Sequence, residues 1–203
     1  MEITTQTKIN YLKYAGTGYI IAGLAFISFG FPFWFLNAVD EIPKHHNLLP
    51  FVIIVDDLFP MNLKFWSVTI CSIGLLIGSY SLYKVGEPTG FGTKRRFFYV
   101  ALLGGFCYFL STWMLIPFAP LGAFLSALGM ILIGIASLKT KLWLGWKRFS
   151  PLLVGVFPFF FMYPLLLITG QRPAALIGCW GFSWILLGVV CWLRIKEVKR
   201  LSR

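Results

Sequence analysis

Six stretches of this chain, each about 20 residues long, contain no Asp, Glu, Lys, Arg or His. They run over roughly Tyr14–Leu36, Phe65–Tyr83, Phe97–Pro117, Phe118–Leu138, Ser150–Thr169 and Ala174–Leu193. A helix of about 20 apolar residues crosses the hydrocarbon core of a bilayer, which is about 30 Å thick. Inside that core no water is available to the backbone, so a helix satisfies its own N–H and C=O groups where irregular chain would not. The expected fold class is all-α: a polytopic membrane bundle of six transmembrane helices, forming one domain over residues 1–203. Composition agrees. Charged residues make up 12% of the chain, about half the usual share of a soluble domain. The 21 Phe and 8 Trp are more than a water-soluble core of this size can hide.

The third and fourth stretches touch. Pro117 and Pro120, followed by Gly122, place the turn between them at 117–120, because proline breaks the backbone ladder. The first stretch ends in Phe31-Pro32-Phe33-Trp34-Phe35-Leu36, where a cleavable signal needs small residues. It is expected to be a retained span, with Trp34 as an interfacial anchor.

Lys and Arg favour the cytoplasmic side of short loops. Lys8 and Lys13, Lys84 with Lys94–Arg96, Lys139, Lys141, Lys147 and Arg148, and the five basic residues from Arg194 onward all fall on one side. Only Lys44, Lys64 and Arg172 of the 18 fall on the other. Both termini are therefore expected in the cytoplasm, and the compartment to be a bacterial-type plasma membrane. The formal charge of +11 is then this inside bias added up, which attracts anionic lipid head groups and does not call for nucleic acid. The run from Gly86 to Arg96 invites a phosphate-loop reading. It lacks that motif's spacing and follows no strand, so a loop with a lipid-anchoring end is expected.

Two helical hairpin features recur. Gly78, Gly134 and Gly188 each stand five or six residues before the basic residue that ends an even-numbered span, and Pro32, Pro117 and Pro164 lie near the outer ends of the odd ones. Three repeated hairpins around a central axis fit this, where membrane binding folds place their sites; convergence on a shared inner-end grammar fits it too. Gly74 with Gly78, Gly104-Gly105, Gly122 with Ser126 and Gly181 with Gly188 supply smooth faces for internal packing or for a dimer. In the fifth span, Pro158 and Pro164 each remove a backbone donor. A kink is expected there, with its freed carbonyls met by a neighbouring helix or a cavity.

The chemistry is sparse. With no ionisable group inside a span, proton relays and ion-coupled carriers are disfavoured. Cys71, Cys107, Cys179 and Cys191 have neither redox nor metal spacing and are expected to pack as small apolar residues. The outer loop 37–64 holds Asp40, Glu41, Lys44, His45, His46, Asp56 and Asp57 around the apolar run Leu48–Val55. Histidines and carboxylates are zinc ligands, yet no helical metal motif is present. Solvated edges flanking an amphipathic lid are the plainer reading, and no metal or cofactor is expected. Arg172, the single charge on the two short outer turns, is a plain surface residue, a latch to Asp56 or Asp57, or a contact for an anionic ligand. Arg172, Tyr163, Trp180 and Trp113 are the candidate ligand-binding residues.

Six helices in about 200 residues, a long first outer loop and basic inner loops resemble, in layout, the substrate-binding components of vitamin-uptake transporters. The hairpin style is also similar to that of small stress-associated bacterial membrane proteins. Neither resemblance transfers a functional residue. The first reading of function is a small-molecule or lipid-binding membrane module, as in a transporter component. A structural or assembly subunit of a larger complex is the alternative, and a membrane enzyme using loop 37–64 the third, with the balance against an enzyme. The partners expected are membrane lipids, with anionic ones at the basic rim, a small apolar ligand, and a membrane-protein partner or second copy of the chain.

Overall fold

The computed structural model describes residues 5–34, 63–86, 96–140, 143–170 and 174–201. Helix α1 covers Thr5–Trp34, α2 Leu63–Val85, α3 Phe98–Leu110 and α4 Leu115–Thr140. A fifth rod is composite. A 3-10 turn, Gly145–Phe149, leads into α5, Ser150–Phe157; a π turn, Pro158–Met162, then leads into α6, Tyr163–Thr169. Helix α7 covers Ala174–Leu201. No strand occurs among the described residues. Five rods are long and apolar enough to cross a membrane, and the sixth, α3, is shorter and equally apolar. This is a helical membrane bundle.

The border between the third and fourth spans differs from the expectation at Pro117–Pro120. Helix α3 stops at Leu110, and the turn occupies Ser111–Trp113. Ser111 Oγ donates to the Tyr108 carbonyl at 2.6 Å, and the N–H groups of Thr112 and Trp113 bond back to Phe109 and Leu110. These are the local side-chain and tightened backbone bonds with which Ser and Thr compete against a continuing helix. Helix α4 then starts at Leu115, which puts Pro117 in its first turn. The early N–H groups of a helix have no internal partner, so proline there removes nothing. Pro120 sits one turn further inside the helix. The prolines open α4 rather than forming the turn. The third rod is left with 13 α-helical residues, about 20 Å at the usual rise.

Each rod packs on its neighbours in chain order, and α1 closes on α7. The six rods therefore make a ring. The joint between α1 and α7 is the most extensive, and that between the fifth rod and α7 is the thinnest. The ring surrounds a central axis. The shared glycines do not serve equivalent joints: Gly78 meets Tyr19 of α1, Gly134 meets Leu152 of α5, and Gly188 meets Gly16 of α1.

Glycine sets the closest joints. A Cβ on Gly23 would stand 2.5 Å from the Gly181 carbonyl oxygen, and one on Gly188 would stand 2.6 Å from that of Gly16. Gly30 approaches Gly178 further along the same seam. On α1, residues 16, 23 and 30 are seven apart, so they share one stripe of the helix. Gly18 meets Gly74 across the α1–α2 joint in the same way, and Gly104 lies against Ser126 between α3 and α4. Helices associate in lipid through such van der Waals contact and interhelical hydrogen bonds, since lipid is as apolar as leucine. Hydroxyl rungs add to it: Tyr19 with Ser79 at 3.2 Å and Tyr83 with Tyr99 at 2.8 Å.

At the end where the basic residues collect, Glu197 accepts from Lys147 and from Arg194, tying α7 to the 3-10 turn. Arg194 is buried. These groups follow the uncharged run 174–193. Partial burial opposes ionisation of Glu197, but the two cations together outweigh it and hold the carboxyl below its ordinary range.

Two outcomes follow from these contacts. Gly181→Ala is expected to destabilise the protein by about 1–3 kcal/mol by overpacking. Gly105→Ala, which meets the Leu76 side chain at 3.2 Å and Leu75 at 3.5 Å but no backbone, should cost much less; equal melting temperatures in detergent for the two variants would refute the seam. For Glu197, the depressed folded pKa means that the ion-pair stabilisation is complete above the unfolded carboxyl value and is lost as pH falls through the folded one. Glu197→Gln should lower the melting temperature at pH 7, and its deficit against the parent should vanish at strongly acid pH.

Candidate functional site

Where α1 and α3 end and α2, α4 and α7 begin, the ring is hollow. A cavity of about 270 Å³ lies there, and all six rods contribute to its wall. Its floor is buried: Ala25 and Phe26 of α1, Ser67 and Cys71 of α2, Tyr108 of α3 and Ala123 of α4. Its lip is formed by Pro120 of α4, which is exposed, and by Tyr163 and Leu166 of α6, which are half-buried. The wall is almost wholly hydrocarbon, and none of its residues is charged.

The hollow follows from residue size. Ala25, Ala119, Ala123, Ser67 and Cys71 all contribute to its wall, where large side chains would meet across the axis. The middle of the ring is filled instead by Trp180, Trp184 and Tyr19. Trp184 stacks on Tyr19 at 5.3 Å, and Trp180 lies 5.0 Å from the Phe26 ring.

The fifth rod supplies the lip through its prolines. Pro158 has no N–H to give to the Val154 carbonyl, its partner four residues back. Trp180 Nε1 donates to that carbonyl at 2.7 Å, fully buried. The rod then widens into the π turn, where Tyr163 N–H reaches Pro158 C=O; insertions of this kind bend a helix. Beyond it α6 packs closely only on the π turn, leaving Leu167 and Ile168 more than four-fifths exposed. A hydrogen bond from Tyr163 Oη to the Pro120 carbonyl, 3.2 Å long, joins α6 to α4. Gly170, at φ 64°, ends the rod, its N–H bonding to Leu166 C=O.

The expected site residues separate. Tyr163 is at the lip. Trp180 stands behind the wall as the partner of the Val154 carbonyl. Trp113 is mostly exposed and packs edge-on against Phe109, so it takes no part in the cavity. Arg172 and the polar cluster of Asp40, Glu41, His45, His46, Asp56 and Asp57 lie outside the described residues, as does the proposed lid over 48–58. Among the described residues no three His, Cys, Asp or Glu side chains gather as metal ligands. The four cysteines are unpaired, and three are buried. Sequence reasoning missed Tyr108, Phe26 and the small residues of the floor. The small Ala and Ser positions at the cavity ends of α1, α2 and α4 are the signal that could have found them.

No family model, curated protein or solved structure matches this chain.

Removing the indole donor tests the account of the bend. Trp180→Phe leaves the buried Val154 carbonyl without its side-chain partner, at a cost of about 1–3 kcal/mol. Restoring an N–H with Pro158→Ala in the same chain should recover part of that loss in thermal melting. Strictly additive effects of the two substitutions would refute the link.

Proposed function

We propose that this protein is a membrane-embedded binding module for a small apolar molecule, which enters from the lipid phase between α4 and α6. The observation that supports it is the uncharged cavity at one end of the ring, walled by all six rods and lipped by the least packed helix. Its volume is near the lower end of ligand pockets, which run from about 300 Å³ upward. That suits one ring or a few carbons of chain rather than a hydrated head group. In the orientation favoured by the basic residues, both termini are cytoplasmic and the cavity faces the outer leaflet. A ligand-holding part of a transporter would use such a site. Anionic lipids are the expected partners of the basic inner rim, where Lys139, Lys196 and Lys199 are exposed.

A structural subunit is the second reading, favoured by an apolar groove on the flank between α1 and α2. Tyr14, Ile21, Ile70, Ile73 and Ile77 line it, around the Gly18–Gly74 contact.

Native mass spectrometry of protein released in mild detergent separates the two readings. A small apolar molecule should accompany the parent, and Ala123→Trp, which fills the floor, should reduce its occupancy at least about tenfold, a loss of about 1.4 kcal/mol of binding. A stable protein partner with no bound small molecule would instead favour the subunit.

A further inference from the structure

The cavity contains one group that hydrocarbon does not satisfy. Tyr108 is 7% exposed, and its hydroxyl has no hydrogen-bond partner among the described residues. The Ser111 bond to this residue uses its backbone carbonyl, not its phenol. By contrast, the second tyrosine of the wall, Tyr163, is engaged with Pro120. A phenol that lines an apolar cavity without a partner among the described residues forgoes a hydrogen bond, which tyrosine hydroxyls in apolar surroundings ordinarily make. The Tyr108 ring packs edge-on against Phe26, a second residue of the wall, at 5.7 Å, so the hydroxyl is carried by a positioned aromatic. Cys71 shares this wall, and its thiol is only a weak donor and acceptor.

We infer that Tyr108 is the specificity residue of the cavity, and that its ligand is a neutral, membrane-soluble carbonyl compound of quinone type, with its ring against Phe26 and Tyr108 and its apolar tail leaving between α4 and α6. This rests on the apolar-ligand reading above. Four features select the class. The phenol O–H donates, and a carbonyl oxygen accepts. None of the wall residues is a cation, so a carboxylate or phosphate would be stranded at the floor. Aromatic faces on the floor suit a flat ring. The lip at Pro120, Tyr163 and Leu166 opens beside exposed Leu165, Leu167 and Ile168, where a tail stays in hydrocarbon.

The test uses the full-length protein in lipid nanodiscs with two probes of matched tail, a decyl-substituted 1,4-benzoquinone and decylbenzene, their binding read from the rise in melting temperature. The quinone should bind more tightly than the hydrocarbon. Tyr108→Phe should weaken the quinone about three- to tenfold, the worth of one neutral hydrogen bond, and leave decylbenzene unchanged. Infrared spectroscopy gives a reading on the unaltered protein: the carbonyl stretch of bound quinone should lie below its value in protein-free nanodiscs. Equal binding of the two probes, or an unshifted carbonyl stretch, overturns the assignment of Tyr108 while leaving an apolar site in place. Failure of both probes to bind overturns the apolar site as well.

Discussion

The bundle depends on backbone-to-backbone contact between α1 and its two neighbours. In water, apolar side chains are driven together; in lipid that drive is missing, and what remains is close packing and hydrogen bonding. Gly16 and Gly23 bring α1 against α7, and Gly18 brings it against α2, at distances that no Cβ would allow, with Gly30 close beside Gly178 further along. Both joints of the first helix are thereby set, and the ring closes between the first and last rods of the chain. The hydroxyl bond from Tyr19 to Ser79 lies beside the Gly18 contact and is possible because the two helices are already so near.

Around that rigid pair, the fifth rod is the compliant element. Its prolines remove donors where the chain must still satisfy its carbonyls without water. The structure meets the first need with a neighbour's indole, Trp180 to Val154, and then opens the helix into a π turn. The bend carries Met162 and Tyr163 to the cavity and leaves α6 with a single hydrogen bond to α4. The bend and the lip of the cavity thus come from the same stretch, Pro158–Pro164.

The spans were legible in the sequence because charge marks their ends. The apolar runs and the helices coincide within a few residues for the second, fourth and fifth rods, whereas α1 starts well before its run, at Thr5, and α7 continues past its run to Leu201. At the third rod the argument from proline failed, since proline terminates a helix from inside and is welcome in its first turn; the deciding residues were Ser111 and Thr112. Gly181 and Gly188 stood out in the sequence as a smooth face, but their partners Gly23 and Gly16 on α1 emerged only from the structure. The site was harder to read for a physical reason. A membrane helix is apolar on all faces, so hydrophobic periodicity does not tell axis from lipid. Trp113 and Trp180 look alike in sequence, yet one faces outward and the other is fully buried. What distinguishes the axis is size and polarity: Ala, Ser and Cys at facing positions, and one tyrosine among them.

That distinction bears on why the hollow exists. An empty space among packed side chains forfeits dispersion contacts on every lining atom, and filling such a space is among the easiest ways to stabilise a chain. Five small residues from three rods, Ala25, Ser67, Cys71, Ala119 and Ala123, leave it open, while the ring only a few residues further along is filled by tryptophan. Tyr108 also brings to this wall a hydroxyl that no described residue engages, although phenylalanine there would keep the same ring packing without it. The proposed occupant, apolar in body and carrying an oxygen acceptor, would restore the lost dispersion contacts and give the Tyr108 hydroxyl a partner.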